Sequence, residues 1–115
     1  MSVDYVRRSD DISIVNTFTA EYTGEQTDVA LITPTSGKAI EIYSILLHSE
    51  ASAGTIALDF ATSTKKVARL YAAKNGQIYT SRMKVTGATN EVLTLNISGV
   101  NASDKTFVLV NYREV

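Results

Sequence analysis

Apolar and polar residues alternate with a period of two along most of the chain. In residues 12–23 the even positions are mostly apolar and the odd positions are mostly polar, and the same alternation returns in residues 56–61 and 93–97. Successive side chains of a β-strand point to opposite faces, so this period predicts strands with one buried face and one solvated face.

The longest apolar segment, residues 39–49, departs from the alternation after Tyr43. There Ile45, Leu46 and Leu47 follow one another directly. Consecutive apolar residues indicate either a strand that is covered on both faces or a strand with a bulge, which changes the parity that points inward. Both alternatives predict a central position in the sheet.

Clusters of Gly, Asn, Asp and Ser separate the apolar segments and predict turns. We expect these turns at residues 25–28, 35–38, 51–54, 62–65, 74–76 and 87–90, with a longer loop at 98–105. One exposed strand is predicted between the last two turns, over residues 77–85. Residues 68–73 contain several good helix formers, so a strand and a short helical turn both stay open there.

About eight short strands and no long helix follow from this pattern. The predicted fold class is all-β, an antiparallel β-sandwich of jelly-roll or immunoglobulin-like type, with a closed barrel as the alternative. Because the chain has 115 residues, which is close to the usual size of one domain, we expect residues 12–115 to form a single β-sandwich domain. Residues 1–11 are predicted to be an N-terminal arm, either flexible or bridging to a neighbouring subunit.

Composition narrows the possible partners. Hydrophobic residues make up 44% of the chain, which predicts a packed core, and 11 basic residues nearly balance 12 acidic ones. The resulting net charge of -1 gives no long-range attraction for polyanions, so we expect no nucleic-acid partner. No apolar run is long enough to cross a bilayer, and no apolar region of a signal peptide follows Arg7 and Arg8, so we expect no membrane association and synthesis in the cytoplasm.

Residues that commonly carry chemistry are few. The chain has no cysteine, and its one histidine, His48, lies in the most apolar segment, where we interpret it as a packing residue. The aspartates follow no calcium-loop or other metal-ligand spacing, and the glycines are spaced as turn residues instead of a phosphate-binding loop. Two distant carboxylates could still meet in space, but only their residue type supports this. We therefore predict no catalytic residues, no metal, no cofactor and no enzymatic activity.

The chain has six tyrosines and no tryptophan. A rigid ring with a polar end suits the edge of a core or a contact between subunits, whereas a set of exposed rings could also bind sugars. We favour packing and subunit contacts, and predict four of these residues as interface candidates: Tyr43, Tyr71, Tyr79 and Tyr112.

Several turn and strand segments carry a further signal. They are ITPTSGKAIEI at residues 32–42, LLHS at 46–49, AGTI at 53–56, AAKNG at 72–76 and EVLTLNIS at 91–98. In these segments, over residues 32–115, the chain resembles small β-sandwich virion proteins of tailed bacteriophages. In those proteins a P-x-S-G-K turn leads into a long strand, A-G-T opens the next hairpin, and a strand with alternating leucines precedes a short last strand.

The resemblance implies a structural protein of the virion, made in the host cytoplasm and acting as a capsid decoration, head-fibre or tail-associated protein. It also implies binding to other virion proteins in symmetric copies, and we expect a homo-oligomer, a trimer or larger. The alternative is a carbohydrate-binding β-sandwich module that recognises glycans of the host surface.

Overall fold

The computed structural model describes residues 15–63 and 65–115. Residues 1–11, predicted to be an arm, and the predicted start of the first strand at residue 12 lie outside the described residues. Within them the chain forms nine strands: β1 (Asn16–Thr23), β2 (Gln26–Ile32), β3 (Ile40–Ser49), β4 (Thr55–Phe60), β5 (Lys66–Tyr71), β6 (Gly76–Thr80), β7 (Val85–Thr86), β8 (Leu93–Ser98) and β9 (Lys105–Glu114).

The strands form two antiparallel sheets. Sheet A has the order β1-β9-β3-β6, and β7 also pairs with β3; sheet B has the order β2-β8-β4-β5. Because β6 and β7 occupy one edge position, each sheet has four strand positions. The chain passes from one sheet to the other at every connection between successive strands except β4 to β5, within sheet B, and β6 to β7, within sheet A. This is the topology of a jelly roll. The predicted all-β sandwich is confirmed, with the jelly-roll alternative instead of the immunoglobulin-like one or the closed barrel.

The core lies between the two sheets. Ile56, Leu58 and Phe60 of β4 have no solvent exposure, as their alternation predicted. Leu93 and Leu95 of the neighbouring β8 are equally buried. From sheet A they meet the buried residues Ile40, Ile42, Ile45, Leu47, Val108 and Val110.

Strand β3 is both central and bulged, so the two alternatives from its sequence hold together. Opposite β9, Ile42 pairs with Tyr112 and Ser44 with Asn111, which leaves Tyr43 as an extra residue. The bulge changes the inward parity. Even positions point into the core before it and odd positions point into the core after it.

The prediction of one strand over residues 77–85 was wrong, and the bulge in β3 is the reason. β6 pairs with β3 after the bulge and β7 pairs with β3 before it. Between them Arg82 takes a positive φ of 58°, and the Met83 N–H donates to the Tyr43 carbonyl at 3.0 Å. The edge strand therefore breaks into two, and nine strands are formed instead of about eight.

The structure corrects one local prediction, decides between the alternatives of a second and locates a third in the fold. Residues 25–28 are not all turn, because β2 already begins at Gln26 and has a bulge where Asp28 takes a φ of 48°. Residues 68–73 form no helical turn, since β5 continues to Tyr71. The predicted turn near Asn75, whose φ is 62°, connects β5 in sheet B with β6 in sheet A.

Candidate assembly surface

The structure separates the four tyrosines that the sequence proposed as interface residues. Tyr71 and Tyr79 are the most exposed large hydrophobic residues among those the structure describes, at 73% and 64%. They lie on opposite surfaces: Tyr71 is opposite Thr55 on the outer face of sheet B, and Tyr79 is opposite Leu46 on the outer face of sheet A. Both tyrosines point outward because their neighbours in sequence, Leu70 and Ile78, pack on the core and successive side chains of a strand point to opposite faces.

Tyr43 and Tyr112 are only partly exposed. The Tyr43 hydroxyl donates a hydrogen bond to Glu41, and its ring lies under the Arg113 guanidinium, 5.7 Å from the ring centre. Tyr112 packs against the core, because it shares its parity in β9 with the buried Val108 and Val110.

The outer face of sheet A carries a continuous apolar area at its centre. Leu46 of β3 pairs with Leu109 of β9 on one side and with Tyr79 of β6 on the other, and Phe107 follows Leu109 on the same face. The two leucines and Phe107 keep partial exposure and point away from the core. We call these four residues the outer patch; His48, partly exposed between Phe107 and Gln77, lies at its border.

Sequence reasoning missed three of the four residues of the outer patch. The signal was present, because the apolar runs at residues 45–47 and 107–110 have no polar alternate position. In each run the residues buried in the core leave the others pointing outward.

A polar cluster occupies the end of the same face beside the bulge. The Glu41 side chain is 7% exposed, and its carboxylate accepts hydrogen bonds from the hydroxyls of Tyr43 and Thr86 and from Arg113 Nε at 3.2 Å. Lys84 Nζ lies 3.9 Å from the carboxylate. The hydrogen bond from Tyr43 is the main cause that lowers the pKa of Glu41, and it outweighs the opposing effect of burial.

The outer face of sheet B is polar. Asp59 forms a two-point ion pair with Arg69, at 2.7 and 3.2 Å, and its carbonyl accepts from the Thr94 hydroxyl at 2.9 Å. Asn96 Oδ1 accepts from the Asp28 N–H at 2.8 Å. Beside these groups lies an open concavity of about 580 Å³, lined by Asp28, Asp59, Phe60, Ala61, Lys66, Thr94 and Asn96.

A second buried carboxylate holds loops together. Glu91 is 2% exposed. It accepts from the N–H groups of Ala88, at 2.7 Å, and Ser63, and from the Ser63 hydroxyl at 3.0 Å. Burial alone would raise the pKa of Glu91, but these donors outweigh burial and the net shift is downward. We assign this residue to loop anchoring, since its hydrogen-bond donors Ser63 and Ala88 lie in two different loops.

Metal-ligand clusters and membrane-length helices are both absent from the residues that the structure describes. Nowhere in residues 15–63 and 65–115 do three or more His, Asp or Glu side chains gather as a metal site would need. The same residues contain no helix of the length and apolarity that a bilayer crossing requires.

Comparison with known proteins gives similarity of structure only. No family model matches the sequence, and no curated protein does either. A chain in the acid-stable capsid structure of Helicobacter pylori bacteriophage KHP30 superposes over 89% of this chain and 93% of its own, with a TM-score of 0.65 and 17% identity. This similarity shows a shared fold, and that fold is the jelly roll described above.

Weaker similarities connect the chain with other capsid structures. A chain of the cyanophage Pam1 capsid has a TM-score of 0.41 and 15% identity, over 85% of this chain and 81% of its own. The coat protein of Tobacco streak virus has a TM-score of 0.34 and 10% identity, over 84% and 85%.

Proposed function

We propose that the protein is a non-enzymatic structural component of a bacteriophage virion, made in the host cytoplasm and incorporated through contacts with copies of itself and with other virion proteins. The observation that carries this proposal is a jelly roll that superposes on almost the whole of a chain from a phage capsid structure. The residue segments that resemble small virion proteins support the same assignment independently.

The more specific role that we propose is capsid decoration or head fibre. The outer patch supports it, because a face with Leu46, Phe107, Leu109 and Tyr79 partly open to solvent is suited to burial against protein. The opposite face is polar and suits contact with water. A small protein with these two faces fits a position on the surface of a shell.

We further propose a homo-oligomer of three or more copies in which the outer patch is a contact surface. Tyr79 is the best placed of the four tyrosines for this role, because it is exposed and adjoins Leu46. Tyr43 and Tyr112 have partners within their own chain, and Tyr71 lies on the polar side.

Two measurements test this function. Mass spectrometry of gradient-purified particles should detect the chain at many copies per particle, and sedimentation velocity of the purified full chain should show assemblies at micromolar concentration. A chain that is absent from intact particles contradicts the virion role. A strict monomer that is nevertheless present in particles contradicts self-assembly alone.

The concavity on sheet B supports a second candidate function, glycan binding. Its lining offers carboxylate, amide, hydroxyl and ammonium groups from Asp28, Asn96, Thr94 and Lys66, and lectin domains also use the jelly roll. Among the described lining residues the one aromatic side chain, Phe60, is fully buried, so these residues offer no exposed ring for sugar stacking. Binding on a glycan array that is lost with Asn96→Ala would favour this candidate.

A further inference from the structure

The two sheets present four edge strands, and they differ in regularity. β2 has two register shifts against β8, β5 has one against β4, and the remaining edge of sheet A is divided into β6 and β7. β1 alone runs in unbroken register with its neighbour, over all eight residues from Asn16 to Thr23. Bulges and breaks protect sheet edges from pairing with other chains, so among the described strands three edges carry such protection and the β1 edge carries none.

The hydrogen bonds of the following turn show which backbone groups of β1 face outward. The Gly24 N–H donates to the Asp104 carbonyl at 2.8 Å, and this pair continues the register of β1 with β9. Backbone groups of alternate residues point to opposite sides of a strand. Even residues of β1 therefore point their N–H and C=O toward β9, while Thr17, Thr19, Glu21 and Thr23 point theirs toward the free edge.

The side chains of β1 do not block this edge. The strand contains no Lys, Pro or Gly, and Glu21 is its only charged residue. On its inner face Phe18 and Tyr22 pack against the core but stay partly exposed. An additional strand beside β1 would cover these two rings and use the outward backbone groups.

We propose that the β1 edge pairs antiparallel with β1 of a second copy, about a twofold axis at Ala20, so that the two A sheets become one continuous sheet. The proposal rests on the self-assembly proposed above and specifies one of its contacts. In this register Thr19 forms a hydrogen-bonded pair with Glu21 of the partner subunit, and Phe18 lies opposite the partner's Tyr22. The second copy adds the same inner-face aromatics, so cross-strand aromatic pairs form at two places.

Charge and geometry favour this partner. A parallel, in-register pair of β1 strands would place Glu21 against Glu21 of the partner subunit, whereas the twofold antiparallel pair places it against threonine. In the register centred on Ala20, residues whose backbone N–H and C=O groups face the edge pair with residues of the same kind, as a ladder of hydrogen bonds requires. An axis perpendicular to the sheet leaves both outer patches on the same side, which doubles the apolar area available to further copies of the chain or to other virion proteins.

Opposite charges at residue 19 test the register. Thr19 is exposed, so Thr19→Glu and Thr19→Lys leave the core intact. In Thr19→Glu the new carboxylate repels Glu21 of the partner subunit, and this repulsion occurs twice per dimer. We therefore expect the dissociation constant of the full chain to rise about 2- to 30-fold at low salt. Thr19→Lys should lower it, and added salt should reduce both effects. Equal responses to the two substitutions would refute the proposed pairing.

A cross-link gives a second readout that does not depend on affinity. At the axis the two Ala20 Cα atoms form a non-hydrogen-bonded pair about 4.5 Å apart, within reach of a disulfide. Because the chain has no other cysteine, Ala20→Cys should give a single oxidised dimer and Thr17→Cys should not. A faster cross-link at Thr17→Cys overturns the register.

Removal of residues 1–11 separates this proposal from pairing with the chain's own arm. The twofold contact should persist without those residues and keep its response to charge at position 19. An association that disappears on their removal, with no effect of Thr19→Glu, assigns the contact to the arm and overturns the β1 pairing. Neither result affects the virion role, which is tested separately by detection of the chain in particles.

Discussion

The outer faces of the two sheets differ in chemistry although both inner faces pack into the same apolar core. Sheet A presents the outer patch at its centre, where Leu46 and Leu109 are neighbours on adjacent strands. Sheet B presents the ion pair of Asp59 with Arg69 and an open polar concavity. Folding requires only that both inner faces be buried, so the fold leaves the chemistry of the outer faces free.

The difference between the two outer faces indicates which of them would gain stability from contact with another protein. Partly exposed large apolar side chains in one contiguous area gain stability when another protein covers them, at about 25 cal/mol per Å² of apolar surface. On sheet B, Asp59, Arg69, Thr94 and Asn96 already have hydrogen-bond or ion-pair partners within the chain. We therefore propose that the main protein contact lies on sheet A, and we expect substitutions on the two faces to have separate effects.

The largest expected effect compares two adjacent leucines of β3. Leu47 has no exposure, so Leu47→Ala leaves a cavity in the core and should lower the free energy of unfolding by about 3 to 4 kcal/mol. Leu46 belongs to the outer patch, and Leu46→Ala should cost less than about 1 kcal/mol in the monomer while weakening self-association. Urea unfolding and sedimentation of both variants measure the two quantities. A larger unfolding effect at Leu46 would show that the patch belongs to the core.

An intermediate effect compares the two exposed tyrosines. Tyr79→Ala should raise the dissociation constant of self-association about 30-fold, equivalent to about 2 kcal/mol, since a tyrosine within a buried contact commonly contributes this much. Tyr71→Ala, with similar exposure on the other face, is the matched control and should change it less than about twofold. Analytical ultracentrifugation separates the outcomes. If Tyr71→Ala had the larger effect, the contact surface would belong to sheet B.

Local pattern predicted those parts of the fold that depend on local sequence. The alternation of Leu93, Leu95 and Ile97 gave a half-buried strand, and each is at most 1% exposed. The break of the edge strand at residues 81–84 could not be predicted in this way. Its cause is the bulge at Tyr43, about forty residues earlier in the chain, and pairing between distant strands leaves no signal in the local period.

The candidate surface could be predicted only in part, for a related reason. A residue type such as tyrosine indicates contact but not the face on which the contact lies. The parity that Tyr112 shares with Val108 and Val110 was sufficient to point it inward. By contrast, the position of Tyr79 beside Leu46 depends on the register between β6 and β3, which the local pattern does not contain.

The smallest expected effect concerns the polar end of sheet A. Glu41→Gln should lower the free energy of unfolding at pH 7 by about 1 kcal/mol, because it weakens hydrogen bonds to a charged group. Since the pKa of Glu41 is lowered on folding from a usual value of 4.5, its contribution is complete above pH 4.5 and is lost as the pH falls through the folded pKa. The difference in free energy of unfolding between the wild-type protein and Glu41→Gln should therefore shrink below pH 4.5.

Tyr43→Phe removes the main donor but keeps the ring beside Arg113, so it should raise the pKa of Glu41 and move this loss to higher pH. Chemical unfolding from pH 3 to pH 7 measures both variants, and a difference that stays constant over this range would show that charge on Glu41 does not stabilise this end of the face.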